Sequence, residues 1–407
     1  MEGSKLIVAL IVIIIVGFSV LGYSMYSLYN SVQNRVSSLN STIVKLSNST
    51  NAKITYEIAG LASKVGSLSS SLAAINGTLS NKISTLEKRI GALSSSSSYF
   101  PVTIMSATNT SVTIPSYPKR IVSLDPATTE ILIAIGAGKQ LVGVDNASLH
   151  YLPPRFENEL KGLYKSGNVT NIGNTYSGVD VEKVLSLRPN LVIGTYGWVP
   201  TAALSVFKEY GIPVLLLPSF NSISGLYDSI IMAGRATGHV KEAVGVVENT
   251  SMAIAYLSSL VKNTTRYEVA NLAWINPTYV TGSDTFQSDM IMLSGNENAF
   301  KNITKWGVIS PEEMLKANPS IIIVDDQTGF MNQSALISWL KKTIGNAYEN
   351  ISAIKHDKVY FIKGYYVDYI NEPGPMVVKG VELLIAITHP SLLNITKVPS
   401  IITPSDF

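Results

Sequence analysis

The chain from Pro101 onward alternates short β-rich apolar runs with stretches of helical pattern, and this alternation constrains its fold more than any other feature. Strands are expected at Ile121–Leu124, Leu141–Val144, Leu191–Ile193, Pro213–Leu217, Val269–Ala273, Ile321–Val324 and Val359–Ile362. Helices are expected at Pro126–Ile135, Val181–Leu187, Ala203–Tyr210 and Lys241–Val261. Strands that alternate with helices predict an α/β architecture built on parallel sheets.

Cysteine is absent from all 407 residues. Its absence excludes disulfides, Cys-ligated zinc, iron–sulfur clusters and thiol catalysis. It also excludes anchoring through a lipid-modified cysteine, so any attachment to a membrane has to be made by the peptide itself. The net charge is +3, but the basic excess lies in residues 28–98 and the chain after residue 98 is nearly neutral. We therefore expect no binding to nucleic acid.

An uncharged apolar run at Leu6–Tyr23 is long enough to cross a bilayer, which takes about 20 residues. Tyr23, Tyr26 and Tyr29 follow, where aromatic side chains settle at the membrane–water interface. A cleaved signal peptide is the alternative, but it would show a shorter apolar core and a small-residue cleavage site. Residues 1–27 are predicted to form the transmembrane helix of a single-pass cell-membrane protein whose globular domain is extracellular.

Residues 32–93 repeat apolar side chains at alternating spacings of three and four, with no proline among them. β-Branched residues such as Val36 and Ile43 fill one core position and leucines such as Leu39 and Leu46 fill the other, which favours a parallel coiled-coil dimer. Gly and Ser at outer positions weaken a helix, so a loose, glycosylated tether remains the alternative. The prediction for residues 28–98 is a coiled-coil stalk that self-associates and ends in a Ser-rich linker.

Twelve Asn-X-Ser/Thr sequons are candidate glycosylation sites. Ser, Thr and Asn are abundant in this chain, so compositional bias is an alternative explanation of the number. We expect a glycoprotein because the other features also place the domain outside the cell. The sequons begin at Asn40, Asn48, Asn76, Asn109, Asn146, Asn168, Asn249, Asn263, Asn302, Asn332, Asn350 and Asn394.

A series of motifs gives a specific resemblance. Residues 117–144, YPKRIVSLDPATTEILIAIGAGKQLVGV, hold a Pro-x-Arg-Ile-Val-Ser-Leu opening, then a Pro and a Thr-Glu pair, then Leu-Val-Gly-Val. Further motifs follow at Leu187–Ile193, Trp274–Pro277, Asn296–Phe300, Ile309–Glu312 and Asn318–Ile323. Over about residues 101–392 the sequence resembles the class III substrate-binding proteins of ABC importers, which bind cobalamin, iron–siderophores and haem. We expect a membrane-anchored member of archaeal type.

The resemblance implies two Rossmann-like lobes joined by one long linking helix, with the ligand in the cleft between the lobes. The N-terminal lobe would span residues 99–240, the linking helix residues 241–262 and the C-terminal lobe residues 263–407.

In this family one surface glutamate on each lobe pairs with arginines of the permease. The matching positions are Glu182 and Glu312, with Glu313 as an alternative for the second. Taken alone, these residues are explained as solvated carboxylates at helix starts, which the helix dipole favours.

Two aromatic residues stand at matching places in the two predicted lobes. Tyr176 lies six residues before Glu182, and Trp306 lies six residues before Glu312. Cobalamin-binding relatives have tryptophans at these spacings that line the cleft. Aromatic faces suit a large, flat, partly apolar ligand such as a corrin, a porphyrin or a chelate.

Further aromatic candidates follow predicted strands. Tyr196 and Trp198 come after Leu191–Ile193, at the carboxyl edge where open α/β sheets place ligands. Tyr151 follows another strand in a loop, and Tyr366 follows Val359–Ile362. Trp274 lies within a strand and is expected in the core.

Enzyme motifs are absent from the sequence, which has neither a Gly-x-Ser-x-Gly elbow nor a His-Glu-x-x-His zinc motif. The predicted function is capture of cobalamin or another corrinoid, or of an iron chelate such as a siderophore or haem, for delivery to ABC permease and ATPase subunits. Such a protein needs no cofactor and no metal of its own. A surface-structural or adhesive protein that reuses the fold is the alternative, because a fold alone does not prove a function.

Overall fold

The computed structural model describes residues 99–200, 204–218, 221–326 and 329–406, together with Arg35 and Ser37, which are helical. The predicted anchor, and the predicted stalk apart from these two residues, lie outside the described residues. Across the described ranges, no helix combines the length and the apolarity that crossing a membrane requires. One compact unit begins at Ser96. We call its residues before Val240 the first half and those after Leu260 the second half.

The described first half contains one antiparallel hairpin and one parallel sheet. Its strands are β1 (Val102–Met105), β2 (Ser111–Ile114), β3 (Ile121–Ser123), β4 (Leu141–Val144), β5 (Thr170–Asn171), β6 (Leu191–Thr195) and β7 (Val214–Leu217). β1 pairs with β2. The other five strands form a sheet in the order β5-β4-β3-β6-β7, with all neighbours parallel. The chain turns to the other side of the sheet between β3 and β6, which opens a crevice at the carboxyl edge.

Helices connect these strands, and side-chain caps begin some of them. The helices are α1 (Pro126–Ala134), α2 (Ser148–Tyr151), α3 (Pro154–Lys165), α4 (Val181–Ser186), α5 (Leu204–Glu209) and α6 (Ile223–Thr237). Asp125 begins α1 because its carboxylate accepts a hydrogen bond from the backbone N–H of Thr128 at 2.8 Å. The same carboxylate accepts one from the backbone N–H of Thr195 at 2.6 Å, which ties α1 to the end of β6.

The described second half is built on a seven-stranded mixed sheet. Its strands are β8 (Glu268–Ile275), β9 (Thr278–Thr281), β10 (Glu297–Asn298), β11 (Trp306–Ile309), β12 (Ile321–Asp325), β13 (Val359–Ile362) and β14 (Ile401–Ile402). β8, β12, β13 and β14 run parallel, and β10 pairs parallel with β8. β9 and β11 extend the sheet in antiparallel pairing, which the sequence pattern did not predict.

The remaining helices are α7 (Val240–Leu260), α8 (Phe286–Leu293), α9 (Pro311–Ala317), α10 (Gln333–Ile344), α11 (Ser352–Lys355), α12 (Tyr366–Asn371) and α13 (Val377–Thr388). Short 3-10 turns lie at Gly138–Gln140, Gly345–Asn350 and Pro390–Leu393. α7 follows the first sheet and precedes the second, and it packs against α6 and α13. The α/β prediction is confirmed, and the predicted helix Lys241–Val261 differs from α7 by one residue at each end.

Successive side chains along each strand point to opposite faces of the sheet. Ile121 packs into a core that includes residues of both halves, and its neighbour Val122 packs into a separate core of the first half. Ile323 and Ile322 divide in the same way in the second half. Strands covered on both faces read as continuous apolar runs, which is why these runs were recognisable in the sequence.

A buried carboxyl group joins the two halves. Glu130 on α1 accepts a hydrogen bond at Oε1 from the backbone N–H of Met376 in the second half, at 2.8 Å. Gly374 approaches so closely that a Cβ there would lie 2.3 Å from the Glu130 carboxyl group. A matching bond runs the other way, since Asp289 Oδ2 accepts from the backbone N–H of Ile223 at 2.8 Å. The hydrogen bonds and the close approach hold the halves in one arrangement.

Burial governs the ionisation of Glu130. Its side chain is 1% exposed, and burial raises its pKa from 4.5 to about 8, although the Met376 hydrogen bond and the charge of Arg155 act in the opposite direction. The folded chain therefore binds this proton more tightly than the unfolded chain does.

We predict that the stability of the protein falls with rising pH because of this group. Its contribution to the free energy of unfolding is fully present below about pH 4.5 and is lost as the pH rises through about 8. Glu130→Gln, which is neutral at every pH, should make the thermal midpoint of the full chain change less between pH 5 and pH 8. Glu312→Gln, at an exposed position, is the control and should keep the wild-type slope. Equal slopes for Glu130→Gln and wild type would contradict the prediction.

Candidate ligand-binding site

A cavity of about 270 Å³ lies between the two halves. One wall follows the carboxyl end of β4 and the other follows the carboxyl end of β13, so both come from the edges where α/β sheets hold ligands. The lining residues are His150, Tyr151, Leu152, Pro154, Glu157, Gly364, Tyr365 and Asp368. This is an inter-half pocket of the kind that the resemblance implies.

Of two predicted aromatic residues near this cavity, Tyr151 lines it and Tyr366 does not. Tyr151 is 40% exposed and lines it. Tyr366 begins α12 and is only 9% exposed, because the helix turns its ring into the core that both halves share. Its neighbour Tyr365 lines the cavity instead, with a ring centroid 5.4 Å from that of Tyr366.

Tyr176 and Trp198 come together at the carboxyl edge of the first sheet. Their ring centroids lie 5.2 Å apart at an angle of 58°. The Tyr176 ring is 64% exposed, while Trp198 packs partly against the core of its own half. Tyr196 lies two residues before Trp198 and is 49% exposed. The first half thus presents three of the predicted aromatic side chains next to the crevice.

Trp306 lies at the start of a strand and not in a loop. β11 pairs antiparallel with β9, and Trp306 is opposite Thr281. Its side chain is 37% exposed, so an aromatic face remains available at this edge of the second sheet. Trp306 does not line the cavity between the halves.

The prediction that Trp274 belongs to the core is wrong. It is 39% exposed, because the pairing of β8 with β9 is irregular between Leu272 and Trp274. Its indole N–H donates to the carbonyl of Asn276 at 3.1 Å.

A groove of about 610 Å³ on the second half is lined by Trp274 together with Phe330 and Trp339. Phe330, 82% exposed, was missed, although it follows a strand in a polar stretch, which is a recognisable signal.

A set of buried carboxyl groups near the cavity was also missed. Burial raises the pKa of Asp145 to about 7 and that of Asp368 to about 8. It also raises the pKa of Asp125, and it raises that of Glu372 well above its ordinary value. Negative neighbours add to the shifts of Asp145, Asp368 and Glu372. Their burial had no signal in the sequence, because Asp and Glu are usually exposed.

The two predicted docking glutamates occupy equivalent places in the two halves. Glu182 lies in the first turn of α4 and Glu312 in the first turn of α9, and both are exposed. Glu313 is engaged in a capping box with Ser310, where its carboxylate accepts from the Ser310 backbone N–H at 2.7 Å. That bond orients Glu313 toward its own helix start and distinguishes it from Glu312.

The described ranges contain most of the candidate glycosylation sites. Nine sequon asparagines fall within them, and all nine are exposed. Asn40, Asn48 and Asn76 lie outside them. No group of three or more His, Asp or Glu side chains in the described parts of the chain is arranged to hold a metal ion.

The comparisons with known proteins agree with one another. The family model described as periplasmic binding protein matches residues 121–366. The ABC transporter substrate-binding lipoprotein YvrC of Bacillus subtilis is 31% identical over 297 residues, which cover 72% of this chain and 86% of that one. A cobalamin-binding protein of Halobacterium salinarum is 24% identical over 288 residues, covering 69% of this chain and 72% of its own length.

Among solved structures, the periplasmic heme-binding protein RhuT of Roseiflexus sp. RS-1 is similar, with a TM-score of 0.55 and 25% identity. The match covers 66% of this chain and 97% of that protein. The chain therefore belongs to the periplasmic binding protein family, whose members are substrate-binding proteins of ABC transporters and not enzymes.

Proposed function

We propose that this protein captures a corrinoid or an iron chelate outside the cell and delivers it to an ABC permease. The observation that carries the proposal is the cavity between the halves, lined by Tyr151 and Tyr365, with the exposed aromatic residues beside it. The similar proteins named above bind cobalamin in one case and heme in another. Both ligands are large, flat macrocycles, which aromatic faces suit.

The proposed contact set has a first-half and a second-half part. Tyr176, Tyr196 and Trp198 would contact the ligand from the first half, and Trp306 from the second. Tyr151 would contact it at the cavity. Tyr366 supports the site indirectly, because its buried ring packs against Tyr365.

We predict that Tyr176→Ala weakens ligand binding by about threefold to tenfold, which is the loss expected for one aromatic contact. Isothermal titration calorimetry of the full chain with cyanocobalamin, haemin and a ferric hydroxamate would measure this loss. Tyr210→Ala is the matched control, since Tyr210 is 65% exposed but precedes β7, away from the carboxyl edge. An equal loss in both variants would contradict the role of Tyr176. Absence of binding to every ligand would favour the surface-structural alternative.

We propose that Glu182 and Glu312 dock the protein on its permease. Both carboxylates are exposed at helix starts, one in each half, and could each accept a bidentate arginine. Two such pairs, one on each half, would fix the orientation of the protein on its partner.

We predict that the double variant Glu182→Lys/Glu312→Lys lowers uptake at least about tenfold in liposomes that contain the permease and the ATPase. Ligand affinity should stay within twofold of wild type, because neither residue lines the cavity. Glu209→Lys/Glu349→Lys reverses two other exposed carboxylates, one in each half, and should transport normally. A parallel loss of ligand affinity in the first variant would refute the docking role.

We propose an architecture for the whole chain. Residues 1–27 would anchor the protein as a single-pass helix, and residues 28–98 would form a coiled-coil stalk. The two Rossmann-like lobes would be residues 99–240 and 263–407, joined by the linking helix 241–262. The exposed sequon asparagines are suitable acceptors for glycans on an extracellular surface. The uncharged run Leu6–Tyr23 and the heptad pattern support these assignments.

We predict that the full chain is dimeric in detergent, as measured by sedimentation. The double variant Leu61→Pro/Leu68→Pro should be monomeric, because proline breaks a helix at a cost of about 3 kcal/mol at each position. Ser69→Ala in the same segment is the control and should remain dimeric. A monomeric wild-type chain would contradict self-association and would favour the alternative for residues 28–98, a loose, glycosylated tether.

A further inference from the structure

Two acidic side chains line the cavity between the halves. Asp368 lines it from α12 and Glu157 lines it from α3, and neither lysine nor arginine is among its lining residues. Glu157 already forms an ion pair with Lys161, whose side chain points along the exposed face of α3. Asp368 is therefore the acidic group that the cavity leaves without a counter-charge.

The side chain of Asp368 is largely buried, but its carboxyl oxygens are not among the fully enclosed atoms that lack a partner, so they reach the cavity. Its side chain is 5% exposed, and within the described ranges no donor forms a hydrogen bond or ion pair with its carboxylate. Buried polar groups in proteins are normally paired, so an unpaired carboxyl group that faces a cavity indicates a missing donor. Solvent supplies that donor in the empty cavity, and a polar group of a bound solute can replace the solvent.

The lining restricts the chemistry of this donor. A carboxylate in the lining attracts a cation and repels another carboxylate, and Tyr151 and Tyr365 line the same cavity from the two halves. A volume of about 270 Å³ lies below the usual range for a whole ligand, which is about 300–1,000 Å³. The cavity fits one group of a larger solute rather than a complete corrinoid or chelate.

We propose that this cavity is a subsite for a positively charged nitrogen group of the captured solute, and that Asp368 is the residue that pairs with it. The inference rests on the proposed function, because it assigns part of the same inter-half site. Solutes that present an ammonium group at this position are preferred over those that present a neutral amide or a carboxylate.

Binding at this subsite depends on pH in a defined direction. Burial and the negative neighbours raise the pKa of Asp368 to about 8, so the empty cavity holds a protonated acid at neutral pH. A cation favours the ionised form, and its binding therefore releases a proton and strengthens as the pH rises from 6 to 8. The titratable groups around Asp368 are Glu130, His150, Tyr151, Glu157, Tyr365, Tyr369 and Glu372.

Two matched pairs of probes test the subsite on the full chain. Ferrioxamine B carries a free ammonium group, and its N-acetyl form carries a neutral amide in that place. Cyanocobalamin monocarboxylic acid can be coupled to diaminopropane, which leaves a free ammonium group at the end of the linker. Coupling to propylamine leaves a neutral methyl group in that place. For whichever scaffold binds, the ammonium form should bind at least about tenfold more tightly by calorimetry at pH 8.

Variants separate the role of Asp368 from a general loss of structure. Asp368→Asn should abolish the preference for the ammonium form and its pH dependence, while the affinity for the neutral form stays within twofold. Asp357→Asn changes an exposed aspartate and should leave both affinities unchanged. The pH dependence in the wild type requires no variant and serves as the independent check.

The outcomes distinguish the two proposals. Equal affinity for the ammonium and neutral forms in the wild type would overturn the subsite and leave the proposed function standing. A preference that survives in Asp368→Asn would overturn the assignment of this residue. Binding of neither scaffold would overturn the subsite, and the proposed function would fall as well only if haemin also failed to bind.

Discussion

The arrangement of the two halves depends on the cost of placing carboxylates where water does not reach. Glu130, Asp368 and Glu372 are buried where the halves meet, with Asp125 and Asp145 close by. The ionised form of each group would lack the hydration that it has in water. Each additional negative charge would also raise the energy of the others. Burial raises the pKa values of all five, so each holds its proton to a higher pH than an exposed acid does. Among the described residues the halves are joined by hydrogen bonds between carboxyl groups and backbone amides, and none of the ion pairs crosses from one half to the other.

Much of the fold was predictable because the local signals agree with the packing. Ile121 and Ile321 begin strands that are buried on both faces, so their runs are apolar throughout. Asp125 and Ser310 cap the helices that follow them, as their sequence positions before proline indicate. The antiparallel strand β11 was missed because the short run from Trp306 is half-exposed at the sheet edge and has no apolar periodicity.

The site was less predictable because its members come from distant parts of the chain. The resemblance predicted Tyr176 in the cleft and the preceding strand predicted Trp198 at a sheet edge, but the contact between them depends on how two loops fold. Tyr366 and Tyr365 are adjacent in sequence, and only the start of α12 decides which ring faces the cavity. Asp368 was missed because a single aspartate in a helix resembles any solvated residue until its neighbours are known.

The junction also determines how a ligand can be selected. One hydrophobic core includes residues of both halves, and α7 packs against helices of each, so a large opening would expose buried apolar surface. Selection among ligands then depends on cavity walls that are already formed before a ligand binds. A carboxyl group that keeps its proton while the cavity is empty avoids the cost of an unpaired buried charge. An entering cation takes the place of that proton, so the acid that stabilises the empty fold also provides the counter-charge for a cationic solute.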